Sequence, residues 1–326
     1  PISPKLPPRI ALALDCLLVA LSVMVGTYLI ATEFRAELLY VLPTGFRLVV
    51  GWLLFILILE ATRRVLGWPL IGIVLFFMFY ALYGNHVPGG FWRQGFSWKR
   101  IIATMSFANE GIWGIPVYVV STMIVLFLIF AAFIQTSGVG DFFLNISQAA
   151  VGHMRGGPAK VSVIASGLFG TISGTSLANV ATTGMITIPL MKRIGYKPHI
   201  AGCIETLAST EGQLVPPVMG AADFIMAEIL GIDYWTICMA AIFPALLYYV
   251  SLFLIVDFEA AKEGLKGLPR EELPDWRPVL WQGGHLLVPI IALVVFLGVI
   301  HFSIISSCLY ALIILWLISS VRKSTR

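Results

Sequence analysis

The run Gly170-Thr-Ile-Ser-Gly-Thr-Ser-Leu-Ala-Asn-Val-Ala-Thr-Thr-Gly184 constrains this chain more than any other stretch. It is rich in glycine and hydroxyls, yet apolar sequence flanks it on both sides. In a bilayer, backbone that is not helical must be buried in protein or line a water-filled cavity. A glycine-rich interruption at membrane depth therefore implies helices broken around a binding site. The bilayer follows from composition: 59% of the 326 residues are hydrophobic and 12% are charged. That is about half the charge of a soluble domain.

Apolar runs near the roughly 20 residues needed to cross a bilayer cover Ile10–Thr32, Trp113–Gln135, Tyr234–Val256, Leu286–Phe302 and Ile304–Val321. Two shorter runs, Leu48–Ala61 and Pro69–Leu82, are expected to cross as well. The expected fold is an all-α polytopic membrane protein. It has about seven to eight transmembrane helices, a re-entrant helical hairpin and a broken helix.

The formal net charge of +4 does not point to nucleic acid; its placement is what informs. With a cytoplasmic N-terminus, sixteen of the 21 Lys and Arg fall inside, from Lys5 and Arg9 to Arg322, Lys323 and Arg326. Arg35, Arg47, Arg93, Lys99 and Arg100 fall outside, which is the positive-inside bias. Cys16, Cys203, Cys238 and Cys308 are scattered singly, without metal-ligand or disulfide spacing. None of the five histidines has a second histidine three or four residues on, so a metal site is not expected.

Residues 1–112 form one region, with three spans and a tryptophan-containing loop, and residues 113–326 form another. Within the latter, residues 138–157 are expected to lie along the cytoplasmic face. Residues 158–193 begin and end with cytoplasmic charge and are about 36 residues long, too short for two full crossings. A re-entrant hairpin turning at Ser173–Ser176 fits that length. Residues 198–230 form a broken helix interrupted at Glu211-Gly-Gln-Leu-Val-Pro-Pro217, and residues 257–283 a charged cytoplasmic linker.

Pro216 and Pro217 lack N–H groups, so an unbroken helix here would leave the carbonyls of Gly212 and Gln213 unpaired. In a membrane those carbonyls need a partner, and a desolvated cation such as sodium is one. The hairpin offers a similar oxygen inventory in Ser173, Thr175, Ser176, Asn179, Thr182 and Thr183. Its second arm starts near Ser176, so a positive helix end would lie at the tip, where a carboxylate or phosphate could bind. Small residues also allow close helix packing, and prolines also kink helices.

Four carboxylates, Glu205, Glu211, Asp223 and Glu228, fall in or near the second interrupted segment. Glu211 and Asp223 flank the break and suit an ion or proton role; a solvated cavity mouth is the other reading. Asp15 and Glu60, in the N-terminal spans, are expected to make helix–helix hydrogen bonds.

The stretch 169–184, its continuation Ile188-Pro-Leu-Met-Lys-Arg-Ile-Gly-Tyr196, and Gly212-Gln-Leu-Val-Pro-Pro-Val-Met-Gly-Ala-Ala222 with Met226-Ala-Glu228 resemble the permeases of tripartite ATP-independent periplasmic (TRAP) transporters. Within that family they look like the TAXI subgroup, in which small and large membrane subunits are commonly fused. The resemblance covers most of residues 40–275. It implies a multi-pass protein of a bacterial or archaeal inner membrane, with no enzymatic activity and no cofactor. A periplasmic solute-binding protein would deliver a small organic anion, a carboxylate, for import on a sodium or proton gradient. Residues 1–112 would be small-subunit-like and the rest the start of the large, elevator-type subunit.

By motif match, Ser173, Gly174, Thr175, Ser176, Asn179 and Thr183 are the implied solute positions. Ser173, Asn179, Gly212, Gln213 and Pro216 are the implied ion positions. Glu211 and Asp223 depart from the small residues usual there and raise a titrating role. One hairpin and one broken helix are present where family permeases have two inverted repeats, so the chain resembles an N-terminal half. The remaining C-terminal half would be a partner.

Two other classes compete. A passive channel or a non-transporting assembly subunit would show ohmic conductance or no uptake. An intramembrane serine hydrolase using Ser173 or Ser176 needs a base within hydrogen-bond reach, and the nearest histidines in sequence, His153 and His199, are expected at the cytoplasmic face.

Overall fold

The computed structural model describes residues 8–33, 45–108 and 110–321. Lys5, Arg35, Arg322, Lys323 and Arg326 of the charge pattern lie outside the described residues. The chain divides into two compact units, Pro1–Tyr118 and Val119–Arg326.

In the first unit, α1 (Pro8–Glu33), α2 (Phe46–Leu66), α3 (Trp68–Tyr83) and α4 (Trp98–Phe107) follow in order. Gly67, with φ of 81°, takes a left-handed backbone that glycine adopts readily and so ends α2 just before Pro69 of α3. Val25 and Leu29 of α1 pack with Val50 and Leu54 of α2 and Phe107 of α4. Asp15 is bound by Arg64 at 2.6 Å, while Glu60 is held by both Arg63 and Arg64. The hydrogen bonds expected of Asp15 and Glu60 are therefore ion pairs. The two arginines, about one turn beyond Glu60, reach back along the helix.

The helix α5 (Ile115–Thr136) carries a π-helical turn at Val120–Ile124, and the second unit takes it up from Val119. After Gly138 come α6 (Val139–Val151), α7 (Gly157–Ser173), α8 (Ser176–Arg193) and α9 (Pro198–Thr210). A short break leads to α10 (Ala221–Leu230), the long α11 (Tyr234–Lys262), and α12 (Trp276–Gly283). Then α13 (Leu287–Gly298) and α14 (Ile304–Val321) close the described chain. One core joins Phe127 and Phe130 of α5, Phe169 and Ile172 of α7, Phe224 of α10, Tyr234 of α11, Leu293 of α13 and Leu315 of α14. The helices α7, α8 and α9 pack against one another. Small residues permit this: Ala159, Ser162, Ala165, Ser166 and Gly170 of α7 are all buried.

Among the described residues, five helical stretches are long and apolar enough to cross a membrane: Arg9–Thr32, Trp68–His86, Ile115–Thr136, Tyr234–Lys262 and Arg270–Gly298. The helix α2 carries Arg47 near one end and Glu60, Arg63 and Arg64 near the other, which shortens its uncharged length. The run expected over Leu286–Phe302 ends as helix at Gly298, and His301 sits at φ 55° in the turn before α14. Leu12, Val19 and Ile30 of α1, Phe76 and Phe77 of α3, and Leu246, Ile255 and Phe258 of α11 are large, apolar and exposed. Faces of that kind suit lipid contact.

Candidate functional site

The first break is the turn between α7 and α8. Ser173 ends α7, Gly174 is left-handed with φ of 56°, Thr175 is extended, and Ser176 starts α8. A Cβ at Gly174 would lie 2.1 Å from the carbonyl oxygen of Met219, so the tip sits against the second break with no room for a side chain.

The second break follows α9. The chain makes one 3-10 turn at Glu211–Leu214, becomes extended at Val215, and passes a cis Pro216–Pro217 bond before α10. The Tyr234 hydroxyl lies 2.9 Å from the carbonyl oxygens of both Pro217 and Val218. It can satisfy one directly, in a stretch that no helix can serve. Asp223 accepts a hydrogen bond from the Gly220 N–H at 3.2 Å and so caps α10.

The two breaks meet. Gln213 Nε2 donates to Ser176 Oγ at 3.0 Å. Below this contact the backbones of α7 and the 3-10 turn touch, since a Cβ on Gly170 would stand 2.5 Å from the Gly212 Cα. Asn179 Nδ2 fills the next level, donating to the Ser166 carbonyl at 2.9 Å and approaching that of Ser209 at 3.5 Å.

Deeper still is a polar cluster within apolar helices. Ser162 and Ser166 of α7, Thr183 and Thr187 of α8, and Ser209 of α9 surround the carboxylate of Glu205, which is 0% exposed. The Gly184 position leaves space for Glu205, because a Cβ there would meet its Cγ at 3.1 Å.

Of the residues singled out in sequence, Ser173, Gly174, Thr175, Ser176, Gln213 and Gly212 gather at the meeting of the two breaks. Asn179 and Thr183 lie below it, buried and engaged in internal hydrogen bonds. Asp223 bonds the Gly220 N–H at its own helix start, and Gly220 packs against Gln213. Glu211 is half-buried and makes no hydrogen bond or ion pair among the described residues. Pro216 lines a separate apolar groove of about 700 Å³, with Pro217, Thr171, Trp235 and Tyr249. Neither Ser173 nor Ser176 has an imidazole or carboxylate partner among the described residues; their contacts are the Thr175 carbonyl and Gln213.

Glu205 and its hydroxyl shell are what sequence reasoning undervalued. A signal was present. Ser162 and Ser166, Thr183 and Thr187, and Glu205 and Ser209 are each four residues apart, placing a polar stripe on one face of three successive helices.

Charged groups mark the opposite end of the hairpin. Lys160, in the first turn of α7, is buried and binds Asp257 at 2.6 Å, with Arg155 on the other carboxylate oxygen. Arg193 pairs with Glu272, and Lys197 with Glu263 at 2.9 Å. Lys197 holds the Glu263 carboxyl below its usual range, and Glu263 raises the Lys197 ammonium in turn.

A fold of apolar helices with a polar site at paired helix breaks is that of a membrane permease. The chain belongs to the family described as the DctM component of tripartite ATP-independent periplasmic transporters, whose model matches residues 53–326. It is similar to the C4-dicarboxylate TRAP transporter large permease protein DctM of Pseudomonas aeruginosa, 35% identical over 169 residues, 51% of this chain and 39% of that protein. The sialic acid TRAP transporter permease protein SiaT of Haemophilus influenzae is 27% identical over 184 residues, 53% of this chain and 29% of that protein. The ectoine/5-hydroxyectoine TRAP transporter large permease protein UehC of Ruegeria pomeroyi is 30% identical over 173 residues, 52% and 40% of the two chains. The chain thus spans at most about two fifths of the length of these relatives. Family and apolar helices together make it a multi-pass inner-membrane protein.

Proposed function

We propose that this chain is the membrane permease component of a binding-protein-dependent secondary transporter that imports a small organic anion, a carboxylate. A sodium or proton gradient drives the import. The observation that carries the reading is the contact of the two helix breaks, where Gln213 reaches Ser176 beside the glycine turn at Gly174. Hydroxyls, a side-chain amide and the N-terminal end of α8 converge there on one spot, the set of groups that takes up an anion.

In this reading the hairpin 158–193 is re-entrant and the N-terminus is cytoplasmic, in keeping with the basic residues at the far end of the hairpin. Ser173, Gly174, Thr175 and Ser176 contact the solute, while Asn179 and Thr183 hold the hairpin to α9. Sodium, if it is the coupling ion, is taken at Gly212, Gln213 and Ser173. The chain forms one wall of the site as part of a TAXI-type fused permease, and a second repeat forms the other. A native polypeptide about twice the 35.7 kDa of this chain on an immunoblot of source membranes supports that fusion; a band at the mass of this chain alone counts against it.

The test is uptake into liposomes holding the full-length permease, with its solute-binding protein in the external medium, the side from which solute enters. Labelled succinate serves as the first probe, because relatives named for C4-dicarboxylates are among the matches. Sialic acid, isethionate and ectoine follow. Saturable uptake that needs both the binding protein and a cation gradient is expected. Ohmic conductance without the binding protein would overturn the reading in favour of a channel.

A further inference from the structure

The first unit holds a groove that the paired helix breaks do not use. It is bounded by α2, α3, α4 and the loop between α3 and α4. Its volume is about 670 Å³, within the roughly 300–1,000 Å³ usual for small-molecule and cofactor sites. Phe55 of α2 and Ile101 of α4 are buried and form its floor. Ile73 and Phe77 of α3 and Met105 of α4 form its walls and are exposed, so the groove is open along its length. From Ile73 to Ala81 it follows α3 for about 12 Å, at 1.5 Å per residue.

One end of this apolar groove is cationic. Arg93 of the loop and Arg100 of α4 both line it. Their guanidinium carbons each lie 5.0 Å from the centre of the same Phe96 ring, and that of Arg93 lies 5.8 Å from the centre of Tyr80. Ring contacts of this kind hold a guanidinium in place and leave its N–H groups to donate elsewhere. Arg100 stands in the first turn of α4, whose positive helix end adds to the charge. Among the described residues neither arginine has a carboxylate partner: the ion pairs of this unit join Glu60 to Arg63 and Arg64, and Asp15 to Arg64. Two guanidinium groups on one ring repel each other, and an anion bound to both offsets that repulsion.

The local fold fixes the arginines there. The Phe96 N–H donates to the Ala81 carbonyl at 2.9 Å and the Arg93 N–H to that of Gly84 at 3.2 Å, which folds the loop back onto the end of α3. The Tyr80 hydroxyl donates to the Phe91 carbonyl at 2.6 Å. A Cβ on Gly95 would stand 2.4 Å from the Leu82 carbonyl oxygen, so only glycine permits that approach. Ser97 caps α4, its hydroxyl accepting from the Arg100 N–H at 3.4 Å.

The cationic end lies where α3 finishes, while Arg63 and Arg64 precede its start. The stretch Trp68–His86 is long and apolar enough to cross a membrane. Trp92 and Trp98 adjoin the two arginines and are exposed. Exposed tryptophans at the end of a span sit at the level of the lipid head groups. The groove thus runs from head-group level toward the bilayer interior.

We propose that this groove binds an anionic phospholipid, with its phosphate on Arg93 and Arg100 and one acyl chain lying beside Ile73 and Phe77. Two guanidinium forks match phosphate oxygens, and the apolar walls match hydrocarbon. The site is separate from the helix breaks and does not depend on the transport reading above.

Native mass spectrometry of the purified full-length permease in detergent tests it. Dioleoylphosphatidylglycerol is the probe; dioleoylphosphatidylcholine and inorganic phosphate are the comparisons. The wild type is expected to retain phosphatidylglycerol in preference to phosphatidylcholine. In Arg93→Gln/Arg100→Gln that retention is expected to fall at least about tenfold, since two charge-assisted contacts are lost. Ile73→Trp, at an exposed position, fills the groove and keeps both arginines. It is expected to lower retention as well, and it decides the matter if the double variant fails to fold. Equal retention of the two lipids, or undiminished phosphatidylglycerol in both variants, overturns the proposal. Inorganic phosphate that competes with the lipid on equal terms assigns the arginines to a free anion and overturns it too. So does a double variant that keeps the lipid and loses binding of the solute-binding protein, which makes this face a protein-docking surface.

Discussion

Glu60 in the first unit and Glu205 in the second are both carboxylates within apolar helices, and they are satisfied in opposite ways. Glu60 is held by two guanidinium groups, Arg63 and Arg64, about one turn further along its own helix. Among the described residues, Glu205 has five hydroxyl partners from three helices and no cationic side-chain partner. Hydroxyls differ between the regions too. Ser22, Thr27 and Thr32 of α1 donate to carbonyls four residues back in their own helix, whereas Ser162, Ser166, Thr183 and Thr187 reach Glu205 from other helices. A guanidinium keeps its charge at any accessible pH and so fixes the carboxylate as an anion. A hydroxyl can donate or accept and therefore tolerates either state of its partner. The first arrangement fixes its carboxylate through charge; the second holds it through hydroxyl hydrogen bonds alone.

The most severe way to break this contrast is to remove each carboxylate. Glu205→Leu strips the common acceptor from five buried hydroxyls and places an apolar side chain among them. Leaving buried polar groups unpaired costs about 1–3 kcal/mol each, so a loss of about 3 kcal/mol or more is expected. Glu60→Leu frees Arg63 and leaves Arg64 on Asp15, both partly exposed where water can solvate them, and a much smaller loss is expected. Thermal unfolding of the purified full-length permease measures both. Equal losses would show that the hydroxyl shell is ordinary packing.

The next largest effect tests how the shell is held closed. Gly170→Ala drives a Cβ to 2.5 Å from the Gly212 Cα, where backbone and not a side chain must yield. About 2 kcal/mol of destabilisation is expected from such overpacking, together with loss of uptake, since the Gln213–Ser176 contact lies directly above. Gly72→Ala in α3, where an added Cβ meets nothing within 4 Å, is the control and should leave stability unchanged or slightly raised. Similar outcomes for the two variants would mean that the breaks do not depend on this approach.

Much of this architecture was legible in the sequence. The glycine turn at Gly174 and the double proline announce breaks, because each residue type forbids or disfavours the helix on either side of it. Apolar length located the helices, although not their ends: α13 stops at Gly298, where apolar residues continue through Val299 and Ile300. What stayed hidden was partnership. Asp15 finds Arg64 forty-nine residues away, and Glu205 finds Ser162 forty-three residues away, and no local pattern specifies such pairs. Glu211 and Asp223 drew notice because they flank the visible break. Glu205 lies in an unremarkable helical stretch, and only the packing of three helices makes it the buried carboxylate.

A smaller effect sharpens the first-unit side of the comparison. Asp15 and Arg64 join α1 to α2 through a partly exposed ion pair at 2.6 Å. Asp15→Asn is expected to lower the unfolding temperature by about 2 °C or less. Added salt should reduce that difference, because exposed pairs are screened. A salt-insensitive loss would place this pair in the same class as the buried cluster.

The smallest effect is expected at Lys197–Glu263, which is exposed and lies outside the helices long enough to cross the membrane. Glu263 titrates below its ordinary value, so its contribution is present above the unfolded carboxylate value of about 4.3 and is lost as pH falls through the lower folded one. Lys197 titrates above its ordinary value, so its share is present below the unfolded value of about 10.4 and is lost as pH rises through the higher folded one. Lys197→Gln should therefore lower the unfolding temperature by about 1 °C at pH 7, by progressively less as pH falls through the lowered folded carboxyl value, and by nothing measurable in high salt. The same salt series run on Glu205→Gln gives the decisive contrast. A surface pair answers to salt through charges that water already screens. A carboxylate enclosed by hydroxyls is out of reach of salt while the helices around it are closed. A matching salt response in the two variants would mean that Glu205 is hydrated, and the distinction between the two carboxylate environments would fall.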